Sequence, residues 1–277
     1  MTQTTADPVA GIARSADGTT IAYDRFDAPA RSAGDGGPPV VMVHAAGGYR
    51  DFAPMRSLAE VLAAEIPVVT YDRRGRGLSG DTLPYAVERE VEDLAAVIAA
   101  AAGTGGEAFV YANSSGGLLA LQAAAAGLPI ARMALFEPPI GSDDEDEAAD
   151  DGAFTRELAA LVEAGRRDEA AERFMTEIGV PPEVLAEMAP SLPALAAVAH
   201  TLVYDCLLSE ATSLATAARV TVPTLILDSE GSTGDLTGWA AAVVGALPDG
   251  HHRSLAGEWH GVADADLAAA VTDFFTA

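Results

Sequence analysis

The sequence predicts an α/β protein, a mostly parallel sheet with helices on both faces, and three observations carry that expectation. Short runs apolar on both faces, Pro39–Val43 above all, suit central strands of a covered parallel sheet. Strand and helix patterns alternate up to Phe136 in the order β-β-β-α-β-α-β-α-β, as a doubly covered sheet requires. Between Phe109 and Gly117 a strand-forming run stops at a serine and a helix-forming run begins at once.

The elements follow in order. Val9–Arg14 and Thr19–Phe26 alternate as two strands, and Asp17-Gly18 between them predicts a two-residue hairpin turn. A Gly/Pro/Ala-rich loop, Asp27–Pro38, leads into the Pro39–Val43 strand. Phe52–Ala64 has helical spacing, Val68–Tyr71 is the next strand, and Val87–Ala101 is an Ala-rich helix with an acidic polar face. Phe109–Asn113 and Ala131–Phe136 are strands flanking the helix that opens at Leu118. The acidic run from Asp143 to Asp151 lacks EF-hand spacing and is expected to be a solvated hinge. From Phe154 to about Ala218 the sequence reads as short helices punctuated by Gly and Pro, with no strand. The sheet resumes at Val220–Leu227, followed by a helix over Trp239–Leu247, a short strand near Arg253–Leu255 and an amphipathic helix over Ala263–Phe275. No internal repeat is visible.

Composition narrows the function. The chain has 277 residues, 49% of them hydrophobic, enough for a substantial core. Its formal charge of −25 and lack of lysine argue against a phosphate backbone or an anionic membrane as partner. The expected partner is therefore a small-molecule substrate, with neither nucleic acid nor membrane, and the oligomeric state is left open. The one cysteine, Cys206, permits no intramolecular disulfide and fits a reducing compartment. Met1–Pro8 has no basic start and no apolar run, so no secretory signal is expected there and a cytoplasmic location is. The longest apolar stretch, Leu94–Ala102, is well short of the roughly 20 residues a membrane span needs.

The chemistry is carried by the serine turn. A serine at the tip of a sharp strand-to-helix turn is strained and tolerates only small neighbours two residues away on either side. Ser114 has Ala112 and Gly116 in those places, whereas Ser115 has the bulkier Asn113 in the first, so Ser114 is the expected nucleophile. The segment resembles the G-x-S-x-G nucleophile elbow of the α/β-hydrolase superfamily, with Ala112 where the first glycine usually stands. His44-Ala45-Ala46-Gly47-Gly48 is similar to the superfamily's His-Gly-x loop, and Asp72-Arg73-Arg74-Gly75-Arg76-Gly77-Leu78-Ser79 looks like its D-x-R-G-x-G-x-S turn.

The resemblance runs from about Thr19 to Phe275 and implies the α/β-hydrolase fold: a mostly parallel eight-stranded sheet with an all-helical cap inserted after the sixth strand. It divides the chain into core residues 1–138, cap 139–218 and core 219–277. It also implies an oxyanion hole from the backbone N–H groups of Ala46 and Ser115, structural roles for His44 and the arginine turn, and His260 as general base before the last helix. The acid's usual seat, in a G-x-x-D loop, is occupied by Ser232. Some relatives, certain haloalkane dehalogenases among them, place the acid after the sixth strand, where Glu137 sits; Asp228, Glu230 and Asp235 are the alternatives. Candidate substrate contacts in the cap are His200, Tyr204 and Met175, with Phe174, Met188, Leu202 and Leu207 as further wall residues. No cofactor is expected.

Serine rather than aspartate as nucleophile points to acyl chemistry. The expected activity is hydrolysis of a small, mainly apolar carboxylic ester or lactone through an acyl-enzyme. The same machinery is compatible with a thioester, an amide, a carbon–carbon bond beside a ketone, or peracid formation. A catalytically silent relative that only binds a small molecule is the alternative from another class.

Overall fold

A computed structural model describes residues 7–28, 37–140, 152–232 and 235–277, without the side chains of Asp235 and Thr237. The acidic run at 143–151 lies outside the described residues.

Strands β1 (Val9–Arg14) and β2 (Thr20–Phe26) form an antiparallel hairpin. Its turn is longer than the two residues expected from Asp17-Gly18. Ser15 N–H donates to Thr19 O at 2.9 Å and Gly18 N–H to Ser15 O at 2.9 Å, which closes a three-residue loop with Gly18 at φ +88°. Glycine takes the left-handed position of that loop, so the same two residues serve a different turn.

The core strands follow as β3 (Val40–Val43), β4 (Val68–Tyr71), β5 (Ala108–Asn113), β6 (Ile130–Phe136), β7 (Thr224–Ser229) and β8 (Gly250–Leu255). They join β1 and β2 in one eight-stranded sheet of order β1-β2-β4-β3-β5-β6-β7-β8. Only β1 and β2 break the parallel pattern. This is the α/β-hydrolase fold.

Alternation along the buried strands sorts side chains between two layers. Val41, Val43, Val110 and Ala112 face helices α2 (Val87–Ala102), α3 (Ser115–Ala125) and α10 (Asp235–Ala246), which contribute Leu94, Leu118 and Val243 to that core. Val40, Met42, Phe109 and Tyr111 face α1 (Ala53–Leu62) and α11 (Asp264–Thr276), which contribute Leu58 and Val271. Two short strands, β9 (Gly257–Glu258) and β10 (Gly261–Val262), pair as a separate hairpin before α11.

Between β6 and β7 the elements among the described residues are all helical: α4 (Ala153–Glu163), α5 (Arg167–Glu177), α6 (Pro182–Met188), α7 (Leu192–Ala197), α8 (His200–Ala211) and α9 (Leu214–Ala217). This insertion has its own apolar cluster around Leu158, Phe174, Met175 and Leu202. Among the described residues no single helix is long and apolar enough to cross a membrane.

From β3 the chain runs to β4 on one side, and β5 then lies on the other. That reversal opens a crevice at the carboxyl ends of β3 and β5, the place where open α/β sheets receive ligands. Leu94, fully buried on α2, and Leu83, 71% exposed, test the core assignment. Leu94→Ala is expected to lower unfolding free energy by about 2–5 kcal/mol and Leu83→Ala by less than about 0.5 kcal/mol, as read by urea denaturation.

Candidate active site

Three parallel strands end at one level on this edge, and their ladder continues one bond further. Ser114 N–H donates to Phe136 O at 2.9 Å, and Glu137 N–H donates to Leu227 O at 2.9 Å. The residue after β5 and the residue after β6 therefore stand side by side. Ser114 has φ +50° and ψ −130° as the chain turns into α3. The turn is tight because Gly116 packs against the end of β3. A Cβ there would sit 2.5 Å from Val43 O and 2.7 Å from His44 O, which no side chain tolerates.

Glu137 has φ +47° and is buried. Its Oε1 accepts the Ser229 N–H at 2.9 Å, and its Oε2 is paired with His260 Nδ1. With Nδ1–H donating to the carboxylate, the imidazole is held in the tautomer that leaves Nε2 as acceptor. His260, between β9 and β10, has φ +50°, and its N–H donates to Ser232 Oγ at 3.0 Å. Ser114, Glu137 and His260 are the only non-glycine residues with left-handed φ among the described residues. Such conformations cost on the order of 1–3 kcal/mol each and concentrate at functional sites.

The other carboxylates lie elsewhere. Asp228 Oδ2 bonds His252 Nε2 at 2.8 Å, Glu230 is exposed, and the Asp235 side chain is outside the described residues. Ser232, in the seat where an acid was sought, instead holds the main chain of His260. Ser115 is buried with its hydroxyl donating to Asp205 Oδ1 at 2.9 Å, while its N–H lies at the first position of α3, where a helix offers no internal partner. Ala46 N–H has no hydrogen-bond partner among the described residues. The loop around Ala46 is pinned by Asn113, whose Oδ1 accepts the Ala45 N–H at 3.1 Å. In the sequence Asn113 signalled only its bulk.

The arginine turn is a set of buried ion pairs. Arg74 donates to Asp93 at 2.7 and 2.8 Å, and Arg73 donates to Glu90 at 2.6 and 2.9 Å. Arg73 and Arg76 both reach Asp205, so the turn is closed against α8. His44, fully enclosed beside this turn, has its pKa pushed down to about 3 by desolvation first, then by the charges of Arg76 and Arg73. It is a neutral, structural histidine.

Ser114, Ser115, Ala46 and His260 open onto a cavity of about 700 Å³. The insertion lines it with Phe154, Phe174, Ile178 and Cys206, and the core adds Leu118, Trp239 and Trp259. Desolvation and Asp205 push the Cys206 thiol up to about 12, so it is not a thiolate at neutral pH. A second cavity of about 400 Å³ shares Ala46 and His260 with the first. It is walled by Phe52, Met55, Leu58 and Tyr111 from the core and by Met188, Leu192 and Leu195 from the insertion. Among the described residues no cluster of His, Cys, Asp and Glu could hold a metal ion.

The expected contacts His200, Tyr204 and Met175 line neither cavity. Tyr204 OH donates to Asp81 Oδ2 at 3.0 Å and its ring stacks on Tyr85 at 3.9 Å. His200 Nε2 lies 3.5 Å from the same carboxylate oxygen. Both residues fasten α8 to the loop after β4, and Met175 fills the insertion's own core. Helical spacing identified an apolar face but not which part of it turns inward. Of the further wall residues, Phe174 and Met188 line the cavities, and Leu202 and Leu207 do not.

The chain belongs to the α/β-hydrolase family, whose sequence profile matches residues 40–271. It is similar to an α/β hydrolase from Sphaerobacter thermophilus, 43% identical with a TM-score of 0.83, covering 96% of this chain and 100% of that one. An enol-lactonase from Burkholderia xenovorans has a TM-score of 0.74 at 18% identity, covering 96% of this chain and 100% of that chain. An esterase from a Rhodococcus species has a TM-score of 0.67 at 22% identity, covering 96% and 97%. At these identities the last two share the fold. No match was found among proteins of curated function.

His44 gives a test of the site's electrostatics. Unfolded, it takes a proton near its ordinary 6.5; folded, only near about 3, so below 6.5 the unfolded chain binds more protons. Its contribution to stability is complete above pH 6.5 and is lost as pH falls toward 3, at up to about 1.4 kcal/mol per pH unit. Urea denaturation from pH 7 to 4 is expected to show a steeper loss for the wild type than for His44→Gln; parallel slopes would contradict the assignment.

Proposed function

We propose that the protein is a serine hydrolase that cleaves a small, mainly apolar carboxylic ester or lactone through an acyl-enzyme. The observation that carries this reading is the convergence of the three left-handed residues, with the buried Glu137 paired to His260 and both His260 and Ser114 on one cavity. Ser114 Oγ attacks the carbonyl carbon while His260 Nε2 takes its proton. Glu137 holds the Nδ1–H and stabilises the imidazolium. The Ala46 and Ser115 N–H groups receive the developing oxyanion. His260 then returns the proton to the leaving alkoxide. In the second half, His260 takes a proton from water as the oxygen adds to the acyl carbon, and it returns that proton to Ser114 Oγ as the ester bond breaks and the acid leaves.

The two cavities meeting at Ala46 and His260 support a substrate with apolar groups on both sides of the carbonyl, under a helical cap formed by the insertion. Among the described residues the charged side chains lining the larger cavity, His260 apart, are all acidic: Glu177, Asp205 and Glu210. Asp205 is paired with Arg73 and Arg76 and Glu177 with Arg173, so it is the Glu210 carboxylate that disfavours an anionic acyl group there.

Ser114→Ala is expected to lower kcat on p-nitrophenyl butyrate by about 10³-fold or more, and Glu137→Gln by about 10²–10⁴-fold. Full activity in Ser114→Ala would refute the nucleophile. In competition, p-nitrophenyl butyrate is expected to exceed mono-p-nitrophenyl succinate in kcat/KM by at least about tenfold; equal values would refute the account of the cavity's charge.

A further inference from the structure

We infer that Arg76 and Asp205 are positioning residues that preset both oxyanion donors, so that a residue of the helical insertion holds the geometry of the core's reaction centre. This deepens the proposed serine-hydrolase reading and rests on it. The first donor is Ala46 N–H. It shares a peptide plane with the Ala45 carbonyl, and in a trans peptide the two point in opposite directions. Arg76 Nη1 donates to Ala45 O at 2.7 Å, and Gly48 N–H donates to the same oxygen at 3.1 Å. Holding the carbonyl on the arginine turn directs the N–H away from it, at a residue that borders both cavities.

The second donor is Ser115 N–H. The Ser115 hydroxyl donates to Asp205 Oδ1 at 2.9 Å, while Arg76 Nη2 donates to Asp205 Oδ2 at 2.5 Å. One carboxylate on α8 therefore reaches Ser115 directly and Ala45 through Arg76. Arg73 donates to Asp205 Oδ1 at 2.8 Å and, with Glu90, completes two cations against two anions, all buried. Desolvation offsets most of what such a buried network gains, so stability does not account for it. What the network supplies is direction: Arg76 ends on the Ala45 carbonyl, which adjoins one oxyanion donor, and Asp205 ends on the hydroxyl of Ser115, which bears the other, while Tyr85 and the His44 carbonyl close its far side.

The test uses p-nitrophenyl butyrate turnover and the affinity of an alkyl trifluoromethyl ketone, which mimics the tetrahedral intermediate once Ser114 adds to it. Wild-type turnover that disappears in Ser114→Ala is the control for the serine-hydrolase reading; if turnover survives in Ser114→Ala, that reading fails and this inference fails with it. Given the control, Arg76→Met is expected to lower kcat by about 10²-fold and to weaken ketone binding in parallel, with KM changed less than about threefold. Arg76→Lys, which restores a donor, is expected to recover part of both. A folded Arg76→Met protein with wild-type kcat and ketone affinity, or with a change in KM alone, overturns the inference while leaving the nucleophile assignment standing. Should Arg76→Met fail to fold, a crystal structure of the wild type with the ketone decides. The inference expects Ala45 O on Arg76 and the hemiketal oxygen about 2.7–3.1 Å from Ala46 N; a flipped Ala45–Ala46 peptide overturns it.

Discussion

The constraint on which the site depends is the level edge formed by β5, β6 and β7. Parallel strands carry hydrogen bonds at even spacing, so where each strand stops decides which residue faces which. The bonds from Ser114 N–H to Phe136 O and from Glu137 N–H to Leu227 O fix two candidate site residues at the ends of neighbouring strands before any side chain is considered. Each then leaves the sheet through a left-handed turn that ordinary strand geometry would not reach. The sheet's buried alternation stabilises the frame, and the strained turns spend a small part of that stability on aiming three side chains.

The second theme is charge held away from water. In a chain of formal charge −25, Arg73, Arg74 and Arg76 are buried in one turn, each matched by carboxylates from α2, α8 or the β1–β2 hairpin. The same positive turn helps keep His44 neutral. Sequence alone made these arginines a structural feature beside the site, and the ion pairs agree. Burial of Glu137 works in the same direction: its two oxygens are occupied by Ser229 N–H and His260 Nδ1, so its charge acts on one imidazole.

One residue of the candidate site, Ser114, was legible because backbone strain leaves a local signature. Only small residues fit beside Ser114, whereas Glu137 was placed by resemblance to relatives that carry the acid after the sixth strand, its two following prolines fitting a turn cap equally well. His260 was legible by its place before the last helix. What stayed hidden depends on which way a helix faces. His200, Tyr204 and Phe174 have similar helical surroundings in sequence, yet the first two bind the loop at Asp81 and only Phe174 reaches the cavity. Asp205 carried no signal at all, since nothing in its neighbours reveals the two arginines more than a hundred positions away. The β1–β2 turn shows a milder case, where Gly18 was right and the loop length was not, because one glycine serves two turn geometries.

The central claim is that Ser114 is a nucleophile activated by His260 and Glu137. The measurement that tests it most directly is intact mass after exposure to a fluorophosphonate, followed by peptide mapping. The account predicts one covalent adduct, on Ser114, formed far more slowly in Glu137→Gln. An adduct on Ser115, or none in a folded wild-type protein, would contradict it.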